Sequence, residues 1–206
     1  SLTDLYIPKT ITSVGYYDGY LSSTSYPFTG CDSLSNLSFA KGITEIPSRL
    51  FANTGLKKVR IPNTVTKIGE MSFASCIKLE EVVIPESVTS IETSAFSGCK
   101  MLNNATLPIS LKSIGSYAFR NCISLRELFI PKTLSDVGNY DGYTSLTAYP
   151  FTGCSNLKVI NFEKGITEIP SGILANTEIE EIVIPNTVTM IGDDAFKSCQ
   201  KLKKVI

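Results

Sequence analysis

The sequence predicts an α/β-type repeat solenoid, built mostly from short parallel strands with little helix. Three observations carry this. An apolar pattern returns every 23 residues through the middle of the chain, like residues recur in the same phase of each unit, and a second, larger repeat overlies the first.

The short repeat is clearest from Leu56. Leu56, Val59, Ile61-Pro62, Val65, Ile68-Gly69, Phe73 and Cys76 are followed 23 residues on by Leu79, Val82, Ile84-Pro85, Val88, Ile91, Phe96 and Cys99. A third unit gives Leu102, Ala105, Leu107-Pro108, Leu111, Ile114-Gly115, Phe119 and Cys122. Counting outward gives a single solenoid over residues 1–206, of about eight units of 22–32 residues. They start near residues 2, 34, 56, 79, 102, 125, 157 and 179. Residues 2–83 match 125–206 at an offset of 123, with about 47 of 82 positions identical. Units six to eight therefore copy units one to three.

Within a unit, Leu-x-x-Ile-x-Ile reads as a short strand with its apolar positions turned inward. Proline ends it, because it lacks the N–H that a further ladder bond needs. The Val-Thr-x-Ile-Gly segment turns the chain back, with Gly69 or Gly192 expected at positive φ. Ala-Phe-x-x-Cys then supplies a short turn or one helical turn. One strand per coil, stacked at ~4.8 Å, makes a body roughly 35–40 Å long. Stacking aligns Phe28, Phe51, Phe73, Phe96, Phe119, Phe151, Leu174 and Phe196 in one ladder. Val14, Ile46, Ile68, Ile91, Ile114, Val137, Ile169 and Ile191 form another. No unit can bury its apolar face alone, so each depends on its neighbours.

The pattern L-x-x-I-x-I-P-x-[ST]-V-[TS]-x-I-G-x-x-A-F-x-x-C resembles the BspA-like leucine-rich repeats, with Ile84-Pro85 to Cys99 and Ile184-Pro185 to Cys199 the best matches. The resemblance covers essentially the whole chain. It implies a curved, right-handed leucine-rich-repeat superhelix, an extracellular or cell-surface location, and a role in adhesion and host contact. Departures fall in units two and seven, at Phe39-Ala40, Phe162-Glu163, Ile46-Pro47, Ile169-Pro170, Thr54 and Thr177, and they keep the inward pattern.

Composition narrows the function. Nineteen basic residues balance nineteen acidic ones, which removes the electrostatic case for nucleic acid. No apolar run approaches the roughly 20 residues of a membrane span, so direct membrane insertion is not expected. There is no histidine, hence neither the commonest general base nor the commonest metal ligand. Glu80-Glu81 and Glu180-Glu181 are adjacent on strands and point to opposite faces. The chain is expected to be no enzyme and to need neither metal nor cofactor.

The six cysteines share one phase of the repeat, at Cys31, Cys76, Cys99, Cys122, Cys154 and Cys199. They read as small buried hydrophobes, and parallel side chains on stacked coils suit a disulfide poorly.

Two places are candidates for ligand contact. Units one and six each carry a twelve-residue insertion between Gly15 and Phe28 and between Gly138 and Phe151. These hold Tyr17, Asp18, Tyr20 and Tyr26, repeated as Tyr140, Asp141, Tyr143 and Tyr149. Tyrosine gives amphipathic contact area at low entropic cost. It equally packs a loop onto its scaffold while Asp-Gly makes the turn. The second place is the outward row Tyr6, Ser38, Arg60, Val83, Thr106, Phe129, Asn161, Val183, with Asp4, Asn36, Lys58, Glu81, Asn104, Glu127, Val159 and Glu181 beside it. Tyr6 and Phe129 are aromatic where solvent is expected, a candidate anchor pair. Asn36-Leu-Ser and Asn104-Ala-Thr fit the glycosylation tripeptide.

The leading expectation is a non-catalytic module binding a protein or glycan on a host or neighbouring cell; the other is a structural spacer without a ligand. The chain reads as a fragment of a longer surface protein, with signal and anchor outside it. A monomer is expected, with end-to-end association where uncapped coils expose strand edges.

Overall fold

The computed structural model describes residues 2–14, 26–138 and 148–206. Sixteen short strands run in chain order: β1 (Asp4–Ile7), β2 (Asn36–Phe39), β3 (Glu45–Ile46), β4 (Lys58–Arg60), β5 (Lys67–Ile68), β6 (Glu81–Val83), β7 (Ser90–Ile91) and β8 (Asn104–Ala105). Then follow β9 (Ser113–Ile114), β10 (Glu127–Ile130), β11 (Asp136–Val137), β12 (Val159–Phe162), β13 (Glu168–Ile169), β14 (Glu181–Ile182), β15 (Met190–Ile191) and β16 (Lys204–Val205). Every pairing is parallel. Among the described residues there is no helix, and Ala-Phe-x-x-Cys forms turns. The chain is a leucine-rich-repeat solenoid.

Each coil contributes two strands where one is expected. The Leu-x-x-Ile-x-Ile strands form one side: β1 with β2, β4 with β6 and β8, β10 with β12, and β14 with β16. The two-residue strands before each Ile-Gly form a second side, ordered β3-β5-β7-β9-β11, then β13-β15. β-branched residues there extend the backbone just long enough for Thr66 to donate to Thr44 O and Gly69 to Ile46 O on the preceding coil.

The third side is built differently. Arg49, Phe51 and Asn53 donate their N–H groups to the carbonyls of Glu70, Ser72 and Ala74 on the following coil. Met71, Phe73 and Ser75 do the same to Thr93, Ala95 and Ser97. The first and third residue of each trio are left-handed, as in Arg49 (φ 63), Asn53 (φ 57), Met71 (φ 52) and Ser75 (φ 58). Alternating handedness turns every second N–H toward the next coil, while the intervening ones close turns within their own, as Ala74 N–H does onto Met71 O. Left-handed backbone is costly for Arg and Met, and the inter-coil bonds over-determine it.

The repeat glycines do something other than expected. Gly69 and Gly192 are not at positive φ. A Cβ on Gly69 would stand 2.6 Å from Ile46 O and Ser48 N, and one on Gly192 2.5 Å from Ser171 N. They are small because the preceding coil's backbone passes there. Positive φ falls instead to the third-side residues and to the turn glycines Gly42 and Gly165.

The core runs without a break from Ile7 to Ala195. Phe51, Phe73, Phe96, Phe119 and Phe151 stack at centroid spacings of 5.2, 5.3, 5.1 and 5.3 Å, with rings within 19° of parallel. Each coil is sealed by the next: Ile68, covered on both sides, is 0% exposed, whereas Ile191 in the same ladder, on the last full coil, is 51% exposed.

Candidate functional site

Alternation on the first side sets which side chains face out. Val59, Val82, Ala105 and Leu128 are buried, while Lys58, Arg60, Asn104, Thr106 and Glu127 are exposed. Strand register aligns the outward residues into rows: Tyr6 beside Ser38, Arg60 beside Val83, Phe129 beside Asn161. The second row is cross-linked between coils. Asn36 Nδ2 donates to Asp4 Oδ1 at 2.7 Å, Lys58 meets Glu81 at 3.1 Å, and Lys204 meets Glu181 at 3.3 Å. Such exposed pairs add little stability, about 0–1 kcal/mol each, but they neutralise the row. Asn36 and Asn104, the two tripeptide asparagines, are both exposed on this side.

Tyr6 is 61% exposed and Phe129 is half-buried. They stand five coils apart, roughly 24 Å at ~4.8 Å per coil, and so do not form one anchor.

The side is not a continuous sheet. β2 and β4, β8 and β10, and β12 and β14 are unpaired. The opening between β8 and β10 holds a cleft of about 530 Å³, lined by Asn103, Asn104, Ala105, Thr106, Glu127, Phe129 and Asn161. Asn161 Nδ2 donates to Glu127 Oε1 across the β10–β12 register. A second depression of about 390 Å³ is lined by Arg126, Asn156, Lys158 and Val159. Asn104, Thr106, Glu127 and Asn161 are ordinary outward residues by sequence, and nothing in the repeat pattern signals that the sheet opens beside them.

Of the insertion residues, Tyr17, Asp18, Tyr20, Tyr140, Asp141 and Tyr143 lie outside the described residues. Tyr26 and Tyr149 are described, and they differ. Tyr26 is half-buried, its hydroxyl 4.0 Å from Met71 Sδ. Tyr149, expected as a candidate contact, is 1% exposed and donates its hydroxyl to Asp194 Oδ2 at 2.6 Å. It offers no contact area: its ring lies on Gly172, where a Cβ would stand 2.5 Å from Cδ1 and Cε1. Lys197 Nζ meets the same carboxylate at 2.9 Å, and these two bonds, Lys197 first, hold the Asp194 carboxyl below its ordinary value.

The cysteines form one column facing the core. Cys76, Cys99, Cys122 and Cys154 are buried, and each donates Sγ–H to a carbonyl of the preceding coil, at Phe51, Phe73, Phe96 and Phe119, over 3.1, 3.1, 3.3 and 3.2 Å. Thr54 and Thr177 occupy the slot but donate within their own coil, to Phe51 O and Leu174 O. Burial pushes the thiols up, that of Cys154 to about 12. All six cysteines are free thiols. No group of His, Cys, Asp or Glu among the described residues could hold a metal ion, and no helix there is long and apolar enough to cross a membrane.

No curated protein matches this chain in sequence. Among solved structures, the leucine-rich repeat protein of T. pallidum is 22% identical at a TM-score of 0.59, over 82% of this chain and 77% of its own. A leucine-rich repeat protein from Eubacterium ventriosum is 21% identical at 0.54, over 95% of this chain and 58% of its own. The pneumococcal vaccine antigen PcpA is 19% identical at 0.51, over 99% of this chain and 50% of its own. The chain thus spans about half the length of the last two. At these identities the likeness is one of fold. The BspA type leucine rich repeat region itself matches in six copies, over residues 1–76, 21–145 and 140–203. With that pattern running nearly end to end, this chain belongs to the BspA-type leucine-rich repeat family.

Proposed function

We propose that this chain is a non-catalytic binding module of a surface or secreted protein, presenting its first side to a protein or glycan on a host or neighbouring cell. The observation that carries this is a division of labour along each strand. Val59, Val82 and Leu128 hold the core, while Arg60, Thr106 and Glu127 are exposed and contribute nothing to it. Outward residues can therefore vary without loss of fold, at a fixed spacing on a rigid body, which suits recognition. That one fold relative is a vaccine antigen accords with a surface or extracellular location. One observation favours the spacer instead: Tyr149 is withdrawn into the body, as a packing residue would be.

The test is a screen of the chain against extracellular-matrix proteins, epithelial cells and a glycan array. Beside it runs a variant carrying Tyr17→Ala, Tyr20→Ala, Tyr140→Ala and Tyr143→Ala, with thermal unfolding as control. Binding by the wild type supports the module. Silence against all three classes overturns it in favour of the spacer. Binding retained by the quadruple variant places the contact on the first side; binding lost at unchanged Tm places it on the insertions.

A further inference from the structure

We propose that the opening between β8 and β10 is a subsite for a neutral oligosaccharide. Phe129 would lie under a sugar ring, and Asn104, Thr106, Glu127 and Asn161 would partner its hydroxyls. This rests on the binding reading above and names the ligand class for one place on that surface.

The opening coincides with a small inward residue and a short strand. The inward slot filled by Val59, Val82 and Leu128 holds Ala105 in this coil, and β8 spans only two residues where β10 spans four. The sheet parts there, and the resulting cleft of about 530 Å³ falls inside the ~300–1,000 Å³ typical of small-molecule sites.

Its chemistry is that of a polyol receptor. Three asparagines, a threonine and a carboxylate meet in one cleft with one aromatic ring. Each amide offers two donors and an acceptor, matching hydroxyls that both donate and accept. The Asn161–Glu127 bond links the two side chains across neighbouring coils, so they meet a ligand as a unit; Asn161 Oδ1 and Glu127 Oε2 are acceptors in addition. Phe129 is half-buried and its backbone is held in the β10–β12 ladder. It offers a flat apolar surface for the C–H face of a pyranose.

Charge selects the class. Among the described residues, Glu127 is the one charged side chain lining the cleft. Sialylated or sulfated sugars would meet a like charge inside the cleft; Arg126 lines an adjoining depression that shares Asn103 with it, and Lys158 lines a further one. A protein partner is less well matched, because protein interfaces centre on desolvated apolar anchors and this cleft has a single ring among amides.

The experiment uses the whole chain on an array of neutral oligosaccharides containing galactose, N-acetylglucosamine, mannose or fucose, beside sialylated and sulfated ones. The strongest neutral hit is then titrated by saturation-transfer NMR. Wild type is expected to bind neutral members, Phe129→Ala to lose roughly ten-fold or more in affinity, and Phe129→Tyr to keep it. Lys67→Ala, exposed on the second side, should bind as wild type. If Phe129→Ala unfolds, the exposed Asn104→Ala reads the same cleft and should also weaken binding. The inference is overturned if only charged glycans bind, or if neutral binding survives in both the Phe129 and Asn104 variants. Silence on the array with retained binding to matrix protein or cells sinks the glycan subsite alone. Silence everywhere sinks the binding reading with it.

Discussion

Tyr149 donates its hydroxyl proton to Asp194 Oδ2 at 2.6 Å across an entire intervening coil, with Gly172 of that coil lying against its ring. The other copy of the duplication places Tyr26 over Arg49 and Met71 at the corresponding positions. Arg49, paired with Glu70 at 2.7 Å, stands where the second copy has Gly172, and Tyr26, on the first coil with the partly buried Phe28 and Cys31, is half-buried. Two substitutions have turned one inherited tyrosine into a strut in the second copy.

Tyr149→Phe is therefore expected to cost about 0.5–1.5 kcal/mol, the usual net worth of an intramolecular hydrogen bond, while Tyr26→Phe costs close to nothing. Chemical denaturation of the two variants side by side measures the difference. Gly172→Arg should evict Tyr149, since Arg49 already holds nearly the same backbone angle (φ 63 against 66). Faster nitration of Tyr149, followed by peptide mapping, is the readout.

The same contact makes stability pH-dependent. The Asp194 carboxyl is held below its ordinary value of 3.8, chiefly by Lys197 and then by Tyr149. A carboxyl lowered by folding stabilises fully above its unfolded value, and the contribution is lost as pH falls through the lower folded one. Lys197 is raised above 10.5 by the same partner, so its share is present below that value and lost as pH rises through the folded one. The Tm gap between wild type and Asp194→Asn should be widest near neutrality and close by about pH 2. A gap unchanged in acid would contradict this.

Ser72 Oγ is buried without a hydrogen-bond partner, in the slot where the next two coils carry Ala95 and Ala118. An unsatisfied buried hydroxyl costs about 1–3 kcal/mol. Ser72→Ala should raise stability by about 1 kcal/mol, and thermal melting is sufficient to see it.

Thiol reactivity should divide by burial. Cys31 and Cys199 are partly exposed, whereas Cys76, Cys99, Cys122 and Cys154 are enclosed, with their thiols raised by desolvation. A disulfide-exchange reagent at mildly alkaline pH should modify two thiols quickly and the other four only on unfolding. Rapid reaction of all six in the folded chain would contradict the packing described.

The phenylalanine, isoleucine and cysteine columns are legible from spacing alone, because any solenoid with this period must place Phe51 against Phe73 and Ile46 against Ile68. The outward rows follow from strand alternation for the same reason. The left-handed backbone of Arg49 and Met71 is not legible. Those residue types disfavour it, and only N–H bonds to the following coil hold them there. Gly69 likewise reads as a turn residue until the preceding coil's backbone is seen to pass within reach of a Cβ. The same holds for the candidate site. The sequence by itself determined the repeat, the core columns and which side chains face outward, since these depend only on period and polarity. Tertiary structure alone decided that Tyr149 is a strut rather than a contact, and that the sheet opens beside Ala105 to gather Asn104, Glu127, Phe129 and Asn161. Both depend on how closely one coil settles on the next, and a repeat pattern carries no measure of that distance.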